Sequence, residues 1–129
     1  MSENNKEYVT QTDELGSIQI SEEVLAVITA AAALEVEGVS GLAGGNRDLT
    51  ELLGKKNLTR GVRIQVLEDG VSVDLTVIVK YGYTILDVAR AAQDAVASNI
   101  ESMSGLKVLS VNVNVGGVAF EKEQPKTEE

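Results

Sequence analysis

The stretch from residue 62 to residue 100 constrains the fold more than any other part of the chain, because it joins two alternating segments to a long amphipathic one. In residues 62–66 and 71–79, apolar side chains alternate with polar ones, the pattern of strands with one buried face. Asp69-Gly70 lies between these segments, and this dipeptide favours a tight turn in which both central residues have positive φ. We therefore predict two antiparallel strands joined as a hairpin.

The segment after this hairpin predicts a helix that starts at Thr84, whose hydroxyl can cap the free amides, with Asp87 placed as in a capping box. The apolar residues recur at spacings of three and four: Ile85, Ala89, Ala92, Val96, Ile100 and Met103. Such a stripe packs against the apolar face of the hairpin. The predicted fold class is α/β (α+β), a two-layer sandwich with helices on one face of a small antiparallel or mixed sheet.

The flanking segments complete this sandwich. Residues 16–20 predict a short edge strand, and Ser21 predicts the N-cap of a helix that runs to about Glu37, with Gly38 as its left-handed stop. Residues 38–45 are rich in glycine and predict a loop, and residues 48–53 predict a short helix. Gly105 predicts the end of the long helix. The last strand is expected in residues 107–117, with four apolar side chains facing inward: Leu109, Val111, Val113 and Val115.

Composition narrows the possible functions. The 129 residues, 43% of them hydrophobic, suffice for one domain with a core, although aromatic residues make up only 3%. The chain has no cysteine and no histidine, which excludes disulfides, thiolate metal sites and histidine-containing triads. We expect no cofactor and no metal site.

The net charge of −9 is unevenly distributed. Residues 1–14 and 121–129 are the more acidic parts and predict flexible tails around a single domain spanning residues 15–120. The amino terminus lacks the pattern of a signal peptide, and the apolar run at 24–34 is too short to span a bilayer. We expect a soluble cytoplasmic protein that does not insert into membranes, reaches them only through a partner, and disfavours nucleic acid.

The first predicted helix carries a patch of small residues, Ala30 to Ala33. One interpretation is that alanine is simply a good helix former and that half of the patch faces water. The other is that Ala30 and Ala33 belong to a face for self-association or for a protein partner. The sequence leaves both interpretations open.

A GxxG motif, Gly41-Leu42-Ala43-Gly44, lies between two predicted helices, which is the layout of a KH module that clamps four nucleotides. The one basic cluster of the chain, with Lys55, Lys56 and Arg60, follows it. A lone GxxG is a weak signal, and the net charge opposes RNA binding. A KH-like RNA-binding module using these residues is the alternative function. No phosphate-binding loop motif is present.

The arrangement of polar residues in the sequence contains no candidate catalytic group. The carboxylates of the long helix lie on its solvent-exposed face, and Asp74 is placed where it can pair with Arg63 across the hairpin, a structural role. No nucleophile has an activating base, so we predict that the chain is not an enzyme.

The outer face of the sheet has two interpretations. It is either the solvent-exposed side of the fold or a docking surface for a partner, in which the candidate contacts are Arg63, Asp74, Asn112 and Asn114.

Several separated blocks resemble the alkaline shock or general stress proteins of Gram-positive bacteria, also called envelope stress response proteins. The blocks, in order, are GSIQISEEVLAVI, ALEVEGVSGL, ELLGKKNLTRGVRI, DLTVIVKYGYTILDVA and VNVNVGGVAF. The resemblance covers nearly all of residues 15–120.

This resemblance implies a small, non-catalytic cytoplasmic α/β protein, a scaffold or adaptor in cell-envelope homeostasis. It also implies docking to a membrane-anchored protein partner, and a link of some relatives to fatty-acid synthesis makes regulation of a fatty-acid-synthesis enzyme a further alternative. Together with the apolar first helix, it leads us to expect a homo-oligomer. No catalytic residues are carried over by the resemblance.

Overall fold

A computed structural model describes residues 8–42 and 60–120, which form six strands and two helices in two layers. The elements, in chain order, are β1 (Tyr8–Asp13), β2 (Gly16–Ser21), α1 (Glu22–Leu34), β3 (Val39–Leu42), β4 (Val62–Leu67), β5 (Gly70–Lys80), α2 (Ile85–Ser104) and β6 (Val108–Ala119). The two helices pack together on one face of a mixed sheet, which confirms the predicted fold class.

Strand β5 is the centre of the main sheet. β6 pairs with it in parallel, from Val71 to Lys80, along one edge. Along the other edge, β4 pairs antiparallel with residues 70–75 and β3 with residues 77–79, so these two strands lie end to end. The predicted antiparallel hairpin of β4 and β5 is therefore confirmed, and the parallel β5–β6 pair makes the sheet mixed.

The turn of this hairpin differs from the prediction. Leu67 pairs with Gly70, so Glu68 and Asp69 form the turn, and no described residue other than glycine has positive φ. The turn is displaced by one residue from the expected Asp69-Gly70 centre. Glycine is required at position 70 because a Cβ there would collide with the carbonyl oxygen of Lys107, which accepts a 2.9 Å hydrogen bond from the Val71 amide.

The core lies between β5 and the helices. Five alternate residues of β5 are at most 1% exposed: Val71, Val73, Leu75, Val77 and Val79. The buried face of α2 consists of Val88, Ala92, Val96 and Ile100. The predicted stripe was thus wrong at both ends, since Ile85 and Met103 are exposed, whereas Val88 faces the core.

Helix ends follow the local chemistry of their capping residues. The hydroxyl of Ser21 accepts a 3.2 Å hydrogen bond from the amide of Val24, as predicted. Thr84 occupies the N-cap of α2, but its side chain makes no capping hydrogen bond, so that prediction was wrong. Helix α1 ends at Leu34, before the expected Glu37. Gly105 ends α2 in the left-handed region, with φ of 79°.

The amino-terminal hairpin was not predicted. Residues 8–13, which we expected in the acidic tail, form β1 and pair antiparallel with β2. Residues 39–42 of the expected glycine loop form β3. In β6, a register shift between the pairs Val71–Val108 and Ser72–Ser110 leaves Leu109 exposed, against the prediction. The expected tail at 121–129 and the short helix at 48–53 lie outside the described residues.

Candidate interaction surfaces

The outer face of the sheet brings predicted site residues together in one row. Arg63 of β4 lies directly opposite Asp74 of β5, and Asp74 lies directly opposite Asn112 of β6. The Nδ2 of Asn112 donates a 2.9 Å hydrogen bond to Oδ1 of Asp74. The alternation of the three strands thus places these polar groups side by side, as the sequence predicted.

Neighbouring rows have the same polar character. The hydroxyls of Ser72 and Ser110 are hydrogen-bonded at 2.6 Å, and Nδ2 of Asn114 donates to the carbonyl oxygen of Leu75 at 3.4 Å. An open depression of about 380 Å³ lies beside them, and its lining includes Arg63, Asp74 and Asn114. This surface offers exposed hydrogen-bonding groups and already satisfies several of them internally. It is suited to contact with a polar surface.

The two alanines predicted as a partner face lie elsewhere. Ala30 and Ala33 are fully buried and belong to the core cluster of the domain. They could contact a partner only if α1 separated from the rest of the domain. The prediction that they form a docking face was therefore wrong. The prediction failed because both residues lie on the buried face of α1, which packs on the rest of the domain, and not on its solvent-exposed face.

The residues of the RNA-binding alternative are not assembled as a nucleotide clamp in the described structure. Gly41 lies in β3, where it pairs with Ile78 of β5, so the prediction of a loop at Gly41 was wrong. Arg60 is exposed and lies two residues before β4. The other three residues of that alternative, Gly44, Lys55 and Lys56, lie outside the described residues.

An exposed aromatic cluster, which sequence reasoning missed, lies where β5 and β6 end. The rings of Tyr81 and Phe120 stack with centroids 4.6 Å apart, and the Tyr81 amide donates to the carbonyl of Ala119. Tyr83 follows in the turn, and its hydroxyl donates a 3.4 Å hydrogen bond to Glu37. We call Tyr81, Tyr83 and Phe120 the aromatic corner.

The exposure of the aromatic corner is unusual for a chain with so few aromatic residues. Tyr81, Phe120 and Tyr83 are 66%, 65% and 40% exposed, although the whole chain has only three tyrosines and one phenylalanine. Ile85 and Leu86, in the first turn of α2, follow Tyr83 closely in the chain and are also exposed. Contiguous exposed apolar surface marks sites of interaction in soluble domains. The available sequence signal was the concentration of rare aromatic residues just after two predicted strands.

The described part of the chain contains neither a membrane-spanning helix nor a cluster of metal ligands. No helix within residues 8–42 and 60–120 has the length and apolarity needed to cross a bilayer. The same residues contain no group of three or more histidine, cysteine or acidic side chains arranged to hold a metal ion.

The fold and its open surfaces define a small two-layer α/β domain, and known proteins share it. The copper form of the MamM CTD has the same fold, with a TM-score of 0.53 at 17% identity over 83% of this chain and 93% of that one. The model of the ASP23 (alkaline shock protein) family, described by a cell envelope-related function, matches residues 10–120. The chain belongs to this family, which confirms the resemblance.

Relatives from Bacillus subtilis (strain 168) are similar over most of their length. The uncharacterized protein YloU is 39% identical over 106 residues, which cover 80% of this chain and 88% of YloU. The uncharacterized protein YqhY is 32% identical over 108 residues, which cover 83% of this chain and 80% of YqhY. The family model, which matches residues 10–120, thus covers nearly all of the described residues.

Proposed function

We propose that this chain is a non-catalytic adaptor in cell-envelope homeostasis that acts in the cytoplasm by binding a second copy of itself and a membrane-anchored envelope protein. In this proposal it serves the response to envelope stress. The observation that carries it is the aromatic corner, which exposes three of the four aromatic side chains of the chain. The cell envelope-related function of the family supports the cellular setting.

The distribution of polar groups favours binding over chemistry. Thr29 is the one buried polar side chain among the described residues, and its hydroxyl donates to the carbonyl of Leu25 within α1. The polar groups of the outer sheet face lie in the open, where water screens their charges. Catalysis depends on groups preorganised in a site that excludes water. An open surface of this kind is suited to recognition of another protein.

The aromatic corner has the properties of a self-association surface. Aromatic side chains provide large contact areas while few rotatable bonds are immobilised, and they dominate the energetics of many interfaces. Burial of one such side chain contributes about 1.5–3 kcal/mol. A stacked pair at the edge of the molecule can meet the same pair of a second copy around a two-fold axis, because that symmetry brings identical patches together.

Sedimentation velocity tests self-association through the aromatic corner. The wild-type chain should show a reversible, concentration-dependent increase in sedimentation coefficient. The double variant Tyr81→Ser, Phe120→Ser should associate at least ~10-fold more weakly, which corresponds to about 1.4 kcal/mol. The matched control is Tyr8→Ser in β1, which removes the one aromatic residue outside the aromatic corner, also exposed. A wild-type monomer at all concentrations, or equal weakening by the control, would contradict this part of the proposal.

A further inference from the structure

A groove of about 270 Å³ lies between the two helices, on the side of the helical layer that faces away from the sheet. Its lining is mainly apolar and consists of Val27, Ile28, Ala31, Ala32, Glu35, Asn99 and Met103. Ala31 is exposed, and Met103 is 67% exposed although it is one of the largest apolar side chains of α2. The groove is small for a pocket that encloses a ligand, since such pockets measure about 300–1,000 Å³. It has room for one or two aliphatic side chains of a larger partner.

The two helices that form this groove carry a strongly negative charge, and Glu35 lies in the groove lining. The two helices and the segment that ends α1, residues 22–37 and 85–104, hold seven carboxylates and one cation. These are Glu22, Glu23, Glu35, Glu37, Asp87, Asp94, Glu101 and Arg90. The four strands of the main sheet hold one carboxylate, Asp74, and two cations, Arg63 and Lys80. Among the described helices and main-sheet strands, the negative charge is therefore concentrated on the helices.

This charge decides which occupant the groove suits. A second copy that presents the same helical layer would bring like charges together, and like-charge juxtaposition costs several kcal/mol across an interface. Anionic lipid surfaces and nucleic acid are repelled for the same reason. A segment that combines aliphatic side chains with lysine or arginine complements both the apolar floor and the acidic surroundings.

We infer that the groove binds a cationic amphipathic helix of a partner protein, with aliphatic side chains inserted between α1 and α2 and basic side chains directed towards Glu35 and the other carboxylates. Recognition of an amphipathic helix by an apolar groove is a recurring mode of peptide binding. The inference deepens the proposed function, on which it rests for the premise that the chain acts by binding another protein. It assigns the groove to the partner and leaves the aromatic corner to self-association.

A synthetic peptide tests the inference directly. The probe is a fluorescein-labelled 14-residue helix-forming peptide with leucine at positions i, i+3, i+4 and i+7 and lysine on the other side. Two control peptides carry the same residues in a scrambled, non-amphipathic order, or glutamate in place of lysine. Fluorescence anisotropy at about 150 mM salt, where the Debye length is ~8 Å, should show saturable binding of the amphipathic lysine peptide. Equal binding of the scrambled peptide, or no binding of the lysine peptide, would overturn the inference.

Two matched variants locate the binding. Ala31→Arg places a long cationic side chain in the groove, whereas Ala91→Arg makes the same change at an exposed position of α2 that does not line it. Ala31→Arg should weaken binding at least 10-fold, and Ala91→Arg should change it less than 3-fold. Equal weakening by both variants would show that net charge alone attracts the peptide, and it would overturn the assignment of binding to the groove.

A third variant separates apolar contact from charge. Met103→Glu removes an apolar side chain from the groove while making the surroundings more negative. The inference predicts weaker binding of the lysine peptide, by 3-fold or more, whereas purely electrostatic attraction predicts stronger binding, which would overturn it. Sedimentation of the Ala31→Arg variant should match the wild type. Loss of peptide binding with unchanged self-association would locate the effect in the groove. Failure of self-association in the wild type would instead concern the proposed function.

Discussion

The two faces of β5 are built from different side chains. Towards the helices, its alternate residues are four valines and one leucine that are at most 1% exposed. Towards solvent, the intervening residues are mostly polar and partly exposed, and two of them, Ser72 and Asp74, hydrogen-bond to β6. We therefore expect substitutions on the buried inner face to destabilise the fold and substitutions on the outer face to be tolerated.

The largest expected effect is on the inner face. Leu75→Ala removes a large side chain that is 1% exposed. It should lower the free energy of unfolding by about 2–5 kcal/mol, because a cavity remains where the side chain packed. Chemical denaturation monitored by circular dichroism measures this value. A loss below about 1 kcal/mol would show that the inner face is less tightly packed than the structure indicates.

The next largest effect is expected for Gly→Ala substitutions at two glycines with nearly the same φ, Gly38 at 99° and Gly82 at 101°. Comparing the two losses in stability separates steric crowding from backbone strain. A Cβ at Gly38 would lie 2.7 Å from Cγ2 of Val88 and 2.9 Å from Cδ2 of Tyr83, whereas none of the surrounding atoms lies within 4 Å at Gly82. Gly82→Ala should cost about 1–2 kcal/mol through φ alone. Gly38→Ala should cost about 1–3 kcal/mol more through crowding. Equal losses in thermal unfolding would contradict the close packing of Val88 and Tyr83 against Gly38.

The smallest effect is expected on the outer face. Asp74→Ala removes the acceptor of the Asn112 hydrogen bond from an exposed row. It should lower the free energy of unfolding by less than about 1 kcal/mol, because water replaces the lost partner. A double-mutant cycle with Asn112→Ala should give a coupling of about 0.5 kcal/mol, as is usual for an exposed cross-strand pair. A loss comparable to that of Leu75→Ala would remove the distinction between the two faces.

Most of the main sheet and both described helices could be predicted, because alternation and helical periodicity report which side chains are buried. Strand β1 was missed because its residues, YVTQTD, hardly alternate and its stability depends on pairing with β2. Gly41 was assigned to a loop because its pairing with β5 is a tertiary contact. The burial of Ala30 and Ala33 likewise depends on which side of α1 meets the domain, and their spacing alone does not specify it.

The outer sheet face could be predicted, whereas the aromatic corner could not. Arg63, Asp74 and Asn112 follow from strand parity once the three strands are adjacent. Tyr81 and Phe120 are 39 positions apart and meet only because β5 and β6 run parallel, which brings Lys80 opposite Ala119 and places both carboxyl ends together. An antiparallel arrangement of the same strands would have separated the two rings.

An affinity pull-down from a lysate of the protein's own cells tests most directly whether the chain is an adaptor that binds proteins. The wild type and the Tyr81→Ser, Phe120→Ser variant are compared, each with and without nuclease treatment, by mass spectrometry and nucleic-acid staining. We predict that the wild type retains a membrane-anchored envelope protein equally in both treatments and that the variant retains less of its own untagged copies. Recovery of RNA, with the bound proteins lost after nuclease, would contradict the adaptor and favour the RNA-binding alternative.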